Sequence, residues 1–166
     1  MNTRDVVGER GEMICRLALT RFHGDAPLFR PVFLGDKWPH VDLLVEVVSP
    51  GLGARRSFFF AQVKTTRGGY LDNGRLKIPS IARESVEVLA EYPVPVYLFG
   101  VDERSERVYI VAVQGNIAGM SSMSVEHDLT SERRAALRDE VELFWRGATM
   151  PERASSFREA HWSVRP

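Results

Sequence analysis

The run Phe58-Phe59-Phe60-Ala61-Gln62-Val63-Lys64-Thr65-Thr66 leaves this chain few ways to fold. It reads as a buried strand that turns polar at its end. Such a strand has no packing reason to finish with Gln-x-Lys, because a lysine must be paired or reach water. Residues two apart in a strand share a face, so Gln62 and Lys64 project together while Val63 points the other way. An amide and an ammonium thus stand side by side at the rim of a hydrophobic sheet, and carboxylates are needed to meet them.

A second apolar run, Val41-Asp42-Leu43-Leu44-Val45-Glu46-Val47-Val48, precedes the first. The two are predicted to pair as a hairpin across the glycine-rich turn 49–56, which carries Arg55 and Arg56. Antiparallel neighbours reverse direction, so the Asp42 end of one strand lies beside the Lys64 end of the other. A carboxylate in so apolar a run has to be ligated, hydrogen-bonded or at the sheet rim, with turn capping as the plain alternative.

Elsewhere the pattern alternates between helix and strand. Val7, Ile14, Leu17, Ala18 and Phe22 recur at helical spacing and predict a helix over 5–22 with these residues inward. Glu9 and Glu12 share a face of it, and Arg16 follows Glu12 by four, so an exposed intrahelical ion pair is an ordinary use for Glu12. A strand over 28–34 contains Pro31, which suits a sheet edge. The loop 65–79 carries Arg67, Arg75 and Lys77, placed either to touch phosphates or simply to solvate a surface. A second helix over 80–92 is expected to be capped by Ser80 and to bury Ile81, Val88 and Leu89. Strands over 94–101 and 107–113 form a hairpin, 114–125 is irregular, and Thr130 or Ser131 caps a last helix with Leu137, Val141, Phe144 and Trp145 inward. This order predicts an α/β domain with a mixed central sheet.

With 166 residues, 44% of them hydrophobic, the chain can bury one proper core. Its 22 basic residues match 22 acidic ones, which argues against coating nucleic acid by bulk charge but not against a local basic patch. Cys15 is the only cysteine, so an internal disulfide or a cysteine zinc site is excluded. No apolar run approaches the roughly 18 residues that span a bilayer, and no signal-peptide core opens the chain. A soluble cytoplasmic protein with no membrane partner is expected.

Glu12, Asp42 and Gln62 offer two carboxylates and an amide oxygen, hard ligands suited to Mg²⁺ or Mn²⁺. Lys64 beside them can orient a water and offset charge developing on phosphate oxygens, a combination fitted to phosphodiester hydrolysis rather than acyl transfer.

These residues, within Gly8-Glu9-Arg10-Gly11-Glu12, Val41-Asp42-Leu43-Leu44-Val45-Glu46 and Ala61-Gln62-Val63-Lys64-Thr65-Thr66, resemble the PD-(D/E)XK nuclease superfamily. The similarity is greatest to a bacterial family of unknown function within it that carries a Gly-Glu helix and a Gln-Val-Lys-Thr strand. The likeness runs from about Val6 to Val113. It implies a restriction-endonuclease-like mixed sheet flanked by helices over 1–125, and a C-terminal helical extension, 126–166, packed on the same domain. It also implies Asp42 as principal metal ligand, Gln62 in the usual acidic position, the Val63 backbone carbonyl as a further ligand, Lys64 as catalytic lysine and Glu12 as helix-borne carboxylate. The activity implied is a metal-dependent DNA endonuclease, in the manner of restriction or anti-phage defence. Gln62 departs from the pattern by being neutral, as in some active restriction enzymes, which leaves an inactive module binding nucleic acid or protein as the alternative. Cutting both strands takes two active sites, so a homodimer is expected, with the Trp145–Trp162 region as its contact.

Overall fold

A computed structural model describes residues 3–48, 57–113, 117–147 and 155–159. The expected turn at 49–56 and the tail with Trp162 lie outside the described residues. The chain runs through α1 (Thr3–Leu19), β1 (Phe22–His23), β2 (Ala26–Pro27), β3 (Phe29–Phe33), β4 (Leu43–Val47), β5 (Phe58–Thr66) and β6 (Leu76–Lys77). It continues through α2 (Arg83–Glu91), β7 (Val96–Asp102), β8 (Arg107–Ala112), β9 (Ser122–Met123) and α3 (Ser131–Trp145). The fold is α/β, with a mixed sheet in the order β3-β4-β5-β7-β8.

β5 is the middle strand, which explains its composition. It pairs antiparallel with β4, Leu43 opposite Ala61, and parallel with β7, Lys64 opposite Gly100. Phe59 and Ala61 face a large cluster built with Ile14, Cys15 and Ala18 of α1 and Leu137 and Val141 of α3. Phe60 faces the other side, with Val41, Leu89 and Val96. A strand covered on both faces has to be apolar at every position until it reaches the rim. β3 is an edge strand, the position in which a proline such as Pro31 is tolerated.

Several expectations are corrected. α1 ends at Leu19, and its buried positions are Gly11, Ile14, Cys15, Ala18 and Leu19. Leu17 is 69% exposed and Phe22 is 67% exposed beyond the helix end, because both lie away from the face that meets the sheet. Ser80 does not cap α2, which begins at Arg83 after Ala82. The reason is Ile81, whose N–H donates to the Met120 carbonyl (3.0 Å) and whose carbonyl accepts from Gly119 N–H (2.7 Å). Those bonds hold Ile81 in extended contact with the following segment. Val86, not Val88, is the buried valine of α2. Thr130 does cap α3, accepting from Arg133 N–H at 3.3 Å.

The polar loop after β5 and the irregular stretch after β8 each hold two strand residues, and β6 and β9 pair as a small antiparallel sheet. That sheet lies over Gly100: a Cβ there would overlap Met123 Sδ and come within 3.1 Å of Leu76 Cδ2. The C-terminal segment is woven into the core. Leu129, Leu137, Val141 and Phe157 belong to the same buried cluster as Phe59 and Tyr97. The Phe157 carbonyl accepts from Ala112 N–H at 2.9 Å, which extends the β8 edge.

Candidate functional site

Asp42 sits one residue before β4, where the sheet's alternation breaks. Val41 packs in the cluster on the α2 side, whereas Leu43 packs in the cluster on the α1 side. The backbone turns over between them, and Asp42 is fixed at the turn. Its N–H donates to the Ala61 carbonyl (2.9 Å), and its carbonyl accepts from Leu34 N–H (3.0 Å). The side chain then reaches along the β5 edge, where Oδ2 accepts from Val63 N–H at 2.6 Å. The carboxylate is thus clamped to the middle residue of Gln62-x-Lys64 by a charge-assisted hydrogen bond.

A strand residue points its N–H and C=O to the same neighbour. The Val63 carbonyl therefore also points to the β4 side, past the first residue of β4. Gln62 is only 4% exposed, and its Oε1 is buried without a hydrogen-bond partner. An orphaned buried acceptor costs about 1–3 kcal/mol unless something satisfies it.

Burial raises the Asp42 pKa above the ordinary carboxylate value, opposed by the Val63 N–H and by the charges of Lys64 and His40. His40, two residues earlier, has a left-handed backbone (φ 60°) and a hydrogen bond between Nδ1 and Ser85 Oγ of α2 (3.2 Å). Tyr92 donates to the Pro39 carbonyl at 3.1 Å. The turn leading into Asp42 is thereby pinned to α2.

Glu12 arrives from the other side of the sheet. Its neighbour Gly11 is buried against β5, where a Cβ would overlap Thr65 Oγ1. Only glycine lets the helix come this close to the strand. Glu12, the next residue of α1, is half-buried. The Cys15 thiol, fully buried beneath, is pushed up by burial, then by the charges of Asp42 and Glu12. Both carboxylates therefore bear on the same sulfur, one from the turn before β4 and one from α1.

No protein-family model, curated protein or solved structure matches the chain.

Among the described residues no group of three or more His, Cys, Asp and Glu could hold a metal ion. A cation here would need the mixed set of Asp42, Gln62 Oε1, the Val63 carbonyl and Glu12. The orphaned Gln62 oxygen is the observation that fits such a set, since it is an acceptor awaiting a partner.

The three basic residues of the loop have different fates. Arg67 is exposed and pairs with Glu103 (3.0 Å), which also holds Arg10 of α1 (2.7 Å). Lys77 is exposed on β6. Arg75 is turned inward: Nε donates to Ser122 Oγ (3.0 Å), Nη2 to the Ser122 carbonyl (2.8 Å) and Nη1 to the buried Glu159 (3.1 Å). The structure thus leaves Arg67 and Lys77 on the surface and gives Arg75 a structural task. Trp145 is also turned inward, its Nε1 donating to the Phe58 carbonyl (2.7 Å) and its ring 4.7 Å from that of Phe58. The Gly-Glu motif included Gly11 without its packing role, and no sequence signal marked Cys15 or the Val63 N–H as part of the site. An apolar residue three positions after Glu12 on the inner face was the available hint.

Proposed function

We propose that this chain is a divalent-metal-dependent nuclease of the PD-(D/E)XK type that hydrolyses phosphodiester bonds in DNA. The observation that carries the reading is Asp42 clamped on the Val63 N–H, beside Lys64 and the orphaned Gln62 oxygen. The order of elements supports it: a helix, an antiparallel three-strand meander, a second helix, then a strand returning parallel to the third. That order is compatible with the restriction-endonuclease-like arrangement the motifs imply.

Asp42, Gln62, the Val63 carbonyl and Glu12 would hold Mg²⁺ or Mn²⁺. Bound there, the cation supplies Lewis acidity toward the phosphate and a lowered pKa for water. The residues do the rest. Asp42 is pre-positioned, since its carboxylate is fixed before any ligand arrives. Lys64 carries the ammonium that orients the attacking water and offsets negative charge as the phosphorus becomes five-coordinate. Gly11 lets α1 bring Glu12 to the strand end.

Supercoiled plasmid incubated with Mg²⁺ or Mn²⁺ tests the reading. Wild-type protein is expected to nick or linearise it, and Asp42→Asn and Lys64→Ala to lower the rate at least about 100-fold, the scale of losing one transition-state contact of this kind. Cleavage that survives both substitutions overturns it.

A second reading rests on Gln62, whose neutral amide takes a negative charge from the cation site. On that reading the chain keeps the fold and binds nucleic acid or a protein without cutting. It expects no Mn²⁺ isotherm by calorimetry, and an isotherm abolished by Asp42→Asn rules it out.

A further inference from the structure

The strand register places a second polar site on the same sheet face as Gln62 and Lys64. Lys64 is opposite Gly100, and Gly100 is opposite Tyr109 of β8. Thr66 is opposite Asp102, and Asp102 is opposite Arg107. Residues directly paired across a sheet share a face, so Lys64 and Tyr109 lie in one row, and Thr66, Asp102 and Arg107 in the next. Two strand spacings separate Lys64 from Tyr109, about 10 Å.

At the far end of those rows is a cleft of about 430 Å³, lined by Tyr70, Gly74, Ser105, Arg107, Tyr109 and Val125. Its floor is a closed hydrogen-bond network on the buried Asp102. Asp102 Oδ2 accepts from Ser105 Oγ (2.5 Å) and from the Tyr70 hydroxyl (3.2 Å). Having spent its proton on Asp102, Tyr70 must accept from the Tyr109 hydroxyl, 3.0 Å away. That chain of donors fixes the direction of every proton. Tyr109 is left with lone pairs, and no proton, for a ligand. The cleft therefore offers acceptors at its floor and cannot readily donate there.

Its mouth has the opposite character. Tyr70 and Val125 are exposed, giving an aromatic face and an apolar edge. Arg107 binds Asp128 through Nη2 (2.9 Å), and its Nε and Nη1 make no hydrogen bond to another described residue. An aromatic platform, acceptors beneath it and a guanidinium beside it match one class of ligand. A nucleobase with an exocyclic amine would stack on Tyr70 and donate to the Tyr109 hydroxyl, while its phosphate meets Arg107.

We infer that this cleft binds one unpaired nucleotide bearing an amino base, cytosine, adenine or guanine in preference to thymine. The inference deepens the nuclease reading and rests on it for its purpose, which is to hold a substrate strand whose phosphodiester lies at Lys64. The separation corresponds to roughly three stacked nucleotides at about 3.4 Å each. Between the two sites, Met123 and Leu76 cover Gly100, and the exposed Lys77 follows Leu76 on that cover.

Calorimetry of the full chain in EDTA separates this claim from catalysis. Wild type and Asp42→Asn are expected to bind dCMP equally, with dTMP and inorganic phosphate each at least about tenfold weaker. Arg107→Gln and Val125→Trp change exposed side chains at the mouth, and both are expected to weaken dCMP at least about tenfold with an unchanged melting temperature. Competition by (dC)₄ identifies the nucleotide as part of a strand, and dCMP binding without it identifies a free mononucleotide in the same cleft. Equal binding of dTMP, or of phosphate alone, overturns the inference, as does dCMP binding that ignores both substitutions. If dCMP binds but plasmid stays intact, the nuclease reading fails and the cleft stands. If plasmid is cut and dCMP does not bind, the cleft fails alone.

Discussion

At the scale of single residues, the candidate site is held against its own interest in stability. Asp42 has a raised pKa because burial disfavours its charge more than Val63 N–H, Lys64 and His40 favour it. A group whose native pKa is raised adds stability below its unfolded pKa and withdraws it as pH climbs through the native value. For Asp42 the loss begins near pH 3.9 and is complete above its native pKa. Asp42→Asn keeps an acceptor for Val63 N–H and removes the charge. In metal-free buffer at pH 7 it should therefore melt higher than wild type, by roughly 2–4 °C per kcal/mol recovered, and the gap should close toward pH 4. Saturating Mn²⁺ should reverse the order, since only wild type gains the binding free energy. Cys15 gives a second check. Burial and two neighbouring carboxylates keep its thiol protonated, so it should resist a thiol reagent such as DTNB until the protein unfolds. Rapid labelling under native conditions would show that the α1–β5 contact opens.

Elements show which parts of the structure a sequence can announce. β5 was legible in full because a strand buried on both faces has to be continuously apolar, and the Gln-x-Lys ending marked its rim. The hairpin with β4, and hence the meeting of Asp42 with that rim, followed from strand direction alone. Glu12 was legible only as a candidate, because a helical carboxylate looks the same whether it faces solvent or a site. Its placement depends on Gly11, and a glycine in a helix gives no sign of what presses on it. β6 and β9 were hidden because two-residue strands have no periodicity, and Arg75 looked like Lys77 until its partners Ser122 and Glu159 were in view. Two measurements follow from these differences. Gly11→Ala should gain up to about 1 kcal/mol of helix propensity but lose about 1–3 kcal/mol to the overlap with Thr65, a net destabilisation in urea titration. Adding Thr65→Gly, which removes the colliding atoms, should make the alanine harmless or beneficial. Arg75→Ala removes a guanidinium from the buried Glu159 together with two bonds to Ser122, and should cost about 3–5 kcal/mol. Lys77→Ala should leave stability within about 0.5 kcal/mol.

The whole molecule puts the strongest demand on the division drawn from sequence, between a nuclease-like part ending at 125 and an extension over 126–166. Leu129, Leu137, Val141 and Phe157 are each 4% exposed or less and lie in one cluster with Phe59, Tyr97 and Ile110. Polar ties run the same way. Glu140 accepts from the Tyr97 hydroxyl (2.6 Å) and from Ser156 N–H (2.8 Å), and Glu159 from Ser124 N–H (2.8 Å). The later segment therefore closes the sheet face that α1 only partly covers, and the second half of the chain is as much core as the first. A chain stopped at 125 would expose the floor of that cluster and take Glu140 from the Tyr97 hydroxyl and Glu159 from Arg75. Removing any one of these side chains to alanine costs about 2–5 kcal/mol by itself, against the 5–15 kcal/mol that holds a typical domain together. The truncated chain is thus expected to lose cooperative unfolding by circular dichroism, while Leu137→Ala alone keeps a sharp transition at a lower midpoint. A truncated chain that still melts cooperatively would show that α1 and the sheet suffice without the segment packed on them.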